Sequence, residues 1–120
     1  MFSIKFYTTE NGICPVEDFL DELPPKMRVK SLQTMEYLKT FGNDLREPFS
    51  KKVEWKNDSL FELRIKQSSN IARIFYFFYV GNQIILTNGF VKKSQKTPRK
   101  EIEKAVKFKK DYLERTAGEE

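Results

Sequence analysis

The sequence has no histidine and a single cysteine, Cys14, among its 120 residues. Without histidine, the chain cannot build a Ser-His-Asp triad or a Cys-His nucleophile system. A conventional zinc site is disfavoured for the same reason, because its ligands are histidine and cysteine side chains. One cysteine forms no internal disulfide, so the sequence does not indicate an oxidising compartment. The residues left for chemistry are arginine, lysine, glutamate and tyrosine.

Glycine and long apolar runs are scarce as well. The five glycines are scattered and form neither a phosphate-binding loop nor a dinucleotide-binding fingerprint. No carboxylates have a spacing typical of a metal site, so we expect neither a metal nor another cofactor. The longest apolar run, residues 71–80, covers about half a membrane span and contains Arg73. The start of the chain lacks the basic-then-apolar layout of a signal peptide, so we expect a cytoplasmic protein without membrane contacts.

Charge is unevenly distributed along the chain, whose net charge is +5. Residues 91–110 contain nine lysines or arginines against two glutamates, while residues 8–22 contain five acidic residues and no basic one. A basic cluster of this kind is typical of a protein that binds a polyanion such as nucleic acid. The alternative is the solvated face of a lysine-rich helix, and charge alone leaves both interpretations open.

Hydrophobic periodicity predicts one compact α+β domain over residues 1–120, with the order β-α-α-β-β-β-α and a mostly antiparallel sheet. Residues 43–59 are expected to form a loop with a short strand near 53–55, and residues 116–120 to fray. Gly42 closes the second helix, and Gly81-Asn82 forms a tight turn between the last two strands. The predicted elements are strands over residues 2–6, 60–66, 71–80 and 83–93 and helices over residues 15–23, 25–41 and 98–115.

The predicted core combines apolar side chains from three strands and the last helix, and the sheet is expected to pack against either the first two helices or the last one. In the second helix, Val29, Leu32, Met35 and Leu38 are spaced three apart, which predicts one buried stripe. The other core candidates are Phe61, Leu63, Ile65, Ile74, Leu86, Ile102, Ala105 and Val106.

One reaction suits a protein whose polar chemistry is arginine, lysine, glutamate and tyrosine. In RNA cleavage by the ribose 2′-OH, the nucleophile belongs to the substrate. The protein then needs to hold the nucleotide in line and to stabilise charge on the phosphate oxygens. Guanidinium and ammonium groups can do this without a metal. A base for the 2′-OH and an acid for the leaving 5′-oxygen complete the scheme.

Strand alternation predicts where those groups meet. Glu62, Arg64 and Lys66 share one face of a strand, and Arg73 lies beside them if the next strand pairs antiparallel. Taken singly, each residue also has an ordinary interpretation, such as a surface ion pair, and Phe90 and Tyr76 are more often core residues. Together they predict a phosphate-binding surface, with Glu62, Arg64, Arg73 and Lys93 as catalytic candidates and Lys66, Phe90, Lys92, Lys96 and Arg99 as RNA-binding candidates.

Two stretches of the sequence resemble the phage-derived branch of the RelE/HigB toxin superfamily. The first comprises LFELR at residues 60–64 and ARIFY at 72–76, and the second is GFVKKSQKTP at 89–98. The pattern of that branch is a strand with E-L-R, a strand with R-x-x-Y, a strand ending F-x-K-K-x-x-K-x-P, and then a helix. The likeness is close over residues 60–113, and the first half of the chain matches in the order of its elements.

The resemblance implies a RelE-like fold, metal-independent mRNA cleavage at the ribosome, inhibition of translation, and neutralisation by a cognate antitoxin, often of the helix-turn-helix type. Arg64, Arg73 and Lys93 stand where members of the superfamily keep phosphate-stabilising basic residues. Glu62 stands near a position where some members have lysine, and no residue matches the C-terminal tyrosine or histidine of several relatives, so the acid and the base stay unassigned. ParE-type relatives share the fold and bind DNA gyrase, which makes gyrase inhibition the alternative function.

Overall fold

A five-stranded sheet runs through the protein, with helices packed on both of its faces. The computed structural model describes residues 1–92 and 97–117. Within them the chain forms an α+β domain with three α-helices and a short 3-10 helix at Gly42–Asp44. The strands are β1 (Ser3–Phe6), β2 (Ser50–Trp55), β3 (Asp58–Gln67), β4 (Asn70–Tyr79) and β5 (Gln83–Lys92), and the helices are α1 (Pro15–Glu22), α2 (Pro25–Phe41) and α3 (Arg99–Ala117).

The strand order across the sheet is β1-β5-β4-β3-β2. Strand β1 pairs with β5 in parallel, and all other neighbours are antiparallel, which confirms the mostly antiparallel prediction. Gly81 and Asn82 both have positive φ (69° and 64°), as the tight turn between β4 and β5 requires. The predicted element order lacks β2. The short strand expected near residues 53–55 is present but longer, because β2 is a full edge strand paired with β3 from Ser50 to Trp55.

The helices on one face of the sheet begin and end where the sequence predicts. Prolines occupy the first turn of both α1 and α2, and Gly42, at φ 52°, ends α2. The predicted stripe on α2 is half wrong, since Val29 and Leu32 are 54% and 48% exposed. A spacing of three drifts around a helix with 3.6 residues per turn, which puts Val29 and Leu38 on opposite sides. The buried side chains of α2 are Met27, Ser31, Thr34, Met35 and Leu38.

Two apolar cores lie on the two faces of the sheet. The first is packed under α1 and α2, and the second lies under α3. All predicted strand and α3 core residues are buried apart from Phe61, which is half-buried and packs against the first core. The first core contains Leu63, Ile65, Ile74 and Leu86, and the second contains Ile102, Ala105 and Val106.

Helix α3 extends two residues beyond the predicted end. The Thr116 hydroxyl donates to the Tyr112 carbonyl at 2.7 Å and accepts a hydrogen bond from the Tyr79 hydroxyl at 3.0 Å. Thr116 and Ala117 are therefore helical rather than frayed, and residues 118–120 of the predicted tail lie outside the described residues. No helix in the described part of the chain is both long enough and apolar enough to span a membrane.

A β-bulge interrupts the pairing of β4 with β5. The pairs on either side leave Phe75 opposite two residues, Thr87 and Asn88. The extra residue reverses the alternation of side chains along β5. Ile85 and Phe90 are five residues apart, yet both belong to the core under α3. The bulge therefore determines which residues at the end of β5 face α3.

Gly89 lies in β5 where α1 packs closely against the sheet. A Cβ added to Gly89 would lie 2.6 Å from Cδ2 of Phe19 and 3.0 Å from the Arg73 carbonyl oxygen. We expect Gly89→Ala to lower the free energy of unfolding by about 1–3 kcal/mol, because the core is overpacked there. Urea denaturation measures this loss. The double variant Gly89→Ala/Phe19→Ala should lose less than the sum of the two single variants, and a purely additive result would contradict the clash.

Candidate functional site

A basic cleft lies between the sheet and the first turn of α3. The strand register places Arg64 directly opposite Arg73, and Arg73 opposite Phe90, while Lys51 of β2 lies opposite Glu62. The cleft has a volume of about 480 Å³. Its lining residues are Lys51, Lys52, Val53, Glu62, Arg64, Arg73, Lys92, Thr97 and Ile102.

Arg73 forms the floor of the cleft. Its side chain is 2% exposed, and its Nη1 lies 3.5 Å from Oε1 of Glu62. Among the described residues, the Arg73 Nε is buried without a hydrogen-bond partner. Burial lowers the pKa of Arg73, the Glu62 carboxylate opposes that change, and the Arg64 charge adds to it. Arginine nevertheless stays protonated in proteins, so a fixed positive charge lies in a poorly hydrated position.

Glu62 is as buried as Arg73 and lies between Arg73 and the start of α3. Its Oε1 accepts a hydrogen bond from Oγ1 of Thr97 at 3.0 Å, in addition to the ion pair with Arg73. The sequence places Glu62 on an outward polar face, but α3 covers that face. This geometry favours a role in positioning Arg73 over a role as general base.

Lys92 enters the cleft from the end of β5. It follows Phe90 by two residues, so strand alternation gives both the same face of the sheet, and the β-bulge before them makes that the face toward α3. Burial and the charge of Arg73 lower the pKa of Lys92, Glu62 opposes them, and Arg64 and Lys51 lower it further. The neighbouring cations thus repel one another, and a bound phosphate would relieve that repulsion.

The structure brings four predicted site residues together and places three others, Lys66, Phe90 and Arg99, outside the cleft lining. Glu62, Arg64, Arg73 and Lys92 line the cleft. Lys66 is exposed and lines a neighbouring depression that shares Arg64 with the cleft. The predicted positions Lys93 and Lys96 lie outside the described residues.

Arg99 lies in the first turn of α3 but outside the cleft lining. Its guanidinium carbon lies 5.0 Å from the centre of the Trp55 ring, and its Nε lies 3.7 Å from Oε1 of Glu103. The side chain of Arg99 is 74% exposed. It is thus placed on an aromatic ring beside the cleft.

The predicted RNA-stacking role of Phe90 does not fit the structure. Phe90 is 9% exposed and belongs to the core under α3. Its ring stacks on Phe75 with the ring centres 5.7 Å apart. An apolar residue followed by a basic one matches both a stacking platform and a buried strand end, and here the second interpretation applies.

Two tyrosines that could act as acids lie away from the cleft. The Tyr76 hydroxyl is on the opposite face of the sheet and shares a hydrogen bond with Ser50 Oγ. Burial raises the pKa of Tyr76, although the bond to Ser50 opposes that change. Tyr112 packs in the core under α3. Neither hydroxyl is placed to protonate a leaving group in the cleft.

Three polar residues of the cleft escape the sequence-based prediction, namely Lys51, Lys52 and Thr97. The sequence does contain a signal for Lys51. Lys51, Val53 and Trp55 occupy alternate positions, as in a strand, immediately before the strand that carries Glu62 and Arg64. Thr97 is predicted only as a helix cap. The cleft is also poor in metal ligands: within the described residues, no group of three or more His, Cys, Asp or Glu side chains could hold a metal ion.

Comparison with known families gives a match over most of the chain. The family model described as "Phage derived protein Gp49-like (DUF891)" matches residues 18–110. The matched region runs from α1 through all of β2 to β5 and into α3, so it contains every residue that lines the cleft. No curated protein matches the chain.

Proposed function

The chain belongs to the Gp49-like family of phage-derived proteins, and we propose that it is the toxin of a type II toxin–antitoxin system that cleaves mRNA at the ribosome. The observation that carries this proposal is the cleft, in which Arg64, Arg73, Lys51 and Lys92 converge. The resemblance of residues 60–113 to RelE/HigB toxins supports the same function. We therefore treat the cleft as the site that receives the scissile phosphate.

The proposed reaction uses the 2′-OH of the substrate as nucleophile. Its oxygen attacks the adjacent phosphorus and the bond to the 5′-oxygen breaks, giving a 2′,3′-cyclic phosphate and a 5′-hydroxyl. One proton leaves the 2′-oxygen and one reaches the 5′-oxygen. Negative charge builds on the non-bridging phosphate oxygens in between, and preorganised cations are the main means of stabilising it.

The roles follow from depth in the cleft. Arg64 and Lys92 are partly exposed and can contact phosphate oxygens directly, while Arg73 supplies a fixed charge at the floor. A charge held in a poorly hydrated site acts more strongly on the phosphate than one in water. Glu62, with Thr97 behind it, holds Arg73 in place. Lys93 and Lys96 are proposed to add phosphate contacts on the strength of the sequence pattern.

The partner proposed for this toxin is an antitoxin that covers the cleft. Its inhibitory element should be acidic, because a cluster of five basic side chains attracts carboxylates. The resemblance to phage-derived toxins favours a helix-turn-helix antitoxin. The ribosome and its mRNA are the proposed targets in the cytoplasm.

The test is induced expression of the protein alone, followed by mapping of mRNA 5′ ends. We expect new ends within translated regions, each carrying a 5′-hydroxyl, with 2′,3′-cyclic phosphate on the upstream fragment. Ends carrying 5′-phosphate would indicate attack by water and exclude the proposed mechanism. Intact mRNA together with loss of gyrase supercoiling activity would instead establish the ParE-type alternative.

A further inference from the structure

Trp55 ends β2 beside the cleft and outside its lining. Side chains alternate along a strand, so Trp55 shares the α3-facing side of β2 with Lys51 and Val53. Val53 lines the cleft, and Trp55 is the next residue on that side. Four residues of extended chain place Trp55 about 13 Å from Lys51.

The opposite wall of the cleft, formed by α3, also ends beside Trp55. Ile102 of α3 lines the cleft, and Arg99 lies one helical turn before it on the same side of the helix. The Arg99 guanidinium carbon lies 5.0 Å from the centre of the Trp55 ring. The two walls of the cleft therefore meet where the Arg99 guanidinium lies over the Trp55 ring.

In the pair formed by Trp55 and Arg99, the Trp55 ring packs against the protein and the Arg99 side chain is exposed to solvent. Trp55 is half-buried and packs against the core under α3. Arg99 is 74% exposed, and its pair with Glu103 is a surface ion pair at 3.7 Å, which constrains it little. The Lys56 ammonium lies 5.6 Å from the Trp55 ring and adds positive charge beside it.

We propose that Trp55 and Arg99 form a stacking site for a nucleobase that flanks the scissile phosphate. A planar ring and a planar guanidinium stack on any base, and adjacent cations neutralise the backbone phosphate. This inference rests on the proposed function and adds a substrate position that lies outside the phosphate-binding cleft.

Trp55 is the only tryptophan in the chain, so its fluorescence reports directly on the site. The probe is a short single-stranded 2′-O-methyl oligoribonucleotide, which lacks the nucleophilic 2′-OH and cannot be cleaved. We expect saturable quenching of Trp55 emission by this probe. An abasic oligomer of the same length should bind through its phosphates without quenching.

Substitutions separate stacking from charge. Arg99→Ala should weaken binding of the base-containing oligomer by about five- to a hundredfold, the range found for single stacked bases. Binding of the abasic oligomer should change no more than it does in Lys100→Ala, which removes a neighbouring exposed charge. Trp55→Phe, followed by anisotropy of a labelled oligomer, should keep most of the affinity, whereas Trp55→Leu should not. If Trp55→Leu does not fold, Arg99→Ala alone carries the test.

Two results would overturn the inference. One is oligomer binding, seen by anisotropy, that leaves Trp55 emission unchanged. The other is that the protein binds the base-containing and abasic oligomers equally well, or binds neither of them. Cleavage of ribosome-bound mRNA by the same preparation keeps the outcomes apart, because active protein without quenching removes only the stacking site, while loss of cleavage removes the proposed function.

Discussion

Arg73→Ala is expected to lower the rate of mRNA cleavage by about a hundredfold or more, as loss of a preorganised charge donor typically does. The guanidinium lies at the floor of the cleft, where it is buried and paired with Glu62, so the variant removes a fixed positive charge. Cleavage of a reporter mRNA on purified ribosomes, measured under single-turnover conditions, gives the rate directly.

The control for Arg73→Ala must remove a charge without touching the cleft. Lys107→Ala serves, because Lys107 is exposed on α3 and absent from the cleft lining. We expect its cleavage rate to stay within about twofold of wild type, since distant surface charges are screened by salt. Equal losses in Lys107→Ala and Arg73→Ala would mean that net charge, and not the cleft, drives activity.

Arg73→Lys tests whether the planar geometry of the guanidinium matters in addition to its charge. Lysine keeps the positive charge but lacks the planar fork of donors that arginine offers. We therefore expect a rate between those of wild type and Arg73→Ala. A rate equal to that of wild type would show that only the charge is needed, and a rate equal to that of Arg73→Ala would show that the planar geometry is essential.

The pairing of β3 with β4 could be predicted from sequence because it depends on local signals. Arg64 and Arg73 alternate with apolar residues on strands joined by a two-residue turn, and Gln67 pairs with Asn70 across it. A short turn fixes the register of a hairpin, and the register fixes which side chains are opposite. The sequence therefore predicts that Arg73 lies near Arg64 if the two strands pair antiparallel, and the structure places the two residues directly opposite each other.

The burial of that face could not be predicted in the same way. Alternation of Glu62 and Arg64 with apolar residues indicates a strand with one wet face, but α3 packs over it and buries Glu62 with Arg73. Which helix covers which face is decided by tertiary packing far along the chain. Polar residues in a strand therefore reveal a face, not whether that face is exposed to solvent.

The sequence-based prediction fails at the two ends of the cleft, for a different physical reason at each end. At β2, Lys51 and Lys52 look like loop residues, yet lysine is well tolerated on an edge strand and discourages further pairing there. At β5, the bulge opposite Phe75 shifts the alternation by one residue. The hydrophobic periodicity of the sequence does not reveal this change in alternation, so it could not establish that Lys92 enters the cleft.

The ion pair between Glu62 and Arg73 provides a test that separates folding from catalysis. Glu62→Leu leaves the Arg73 charge buried without its partner, and we expect the free energy of unfolding to fall by about 3–5 kcal/mol. The double variant Glu62→Leu/Arg73→Met replaces the pair by apolar side chains of similar length. It should recover most of that loss, because a buried ion pair is often no more stabilising than apolar packing.

Recovery of stability should not bring back cleavage. The double variant lacks the floor charge, so we expect its cleavage rate to match that of Arg73→Ala even when urea denaturation shows a fold as stable as wild type. The Glu62→Gln variant complements the double variant. The amide oxygen of glutamine can still accept the hydrogen bond from Thr97, but the side chain lacks the negative charge that holds Arg73. We expect this variant to stay folded and to cleave more slowly, because Arg73 is less firmly positioned. A stable double variant with wild-type cleavage would remove Arg73 from the mechanism, and a double variant as unstable as Glu62→Leu would show that α3 packing, rather than the charge pair, sets stability at this position.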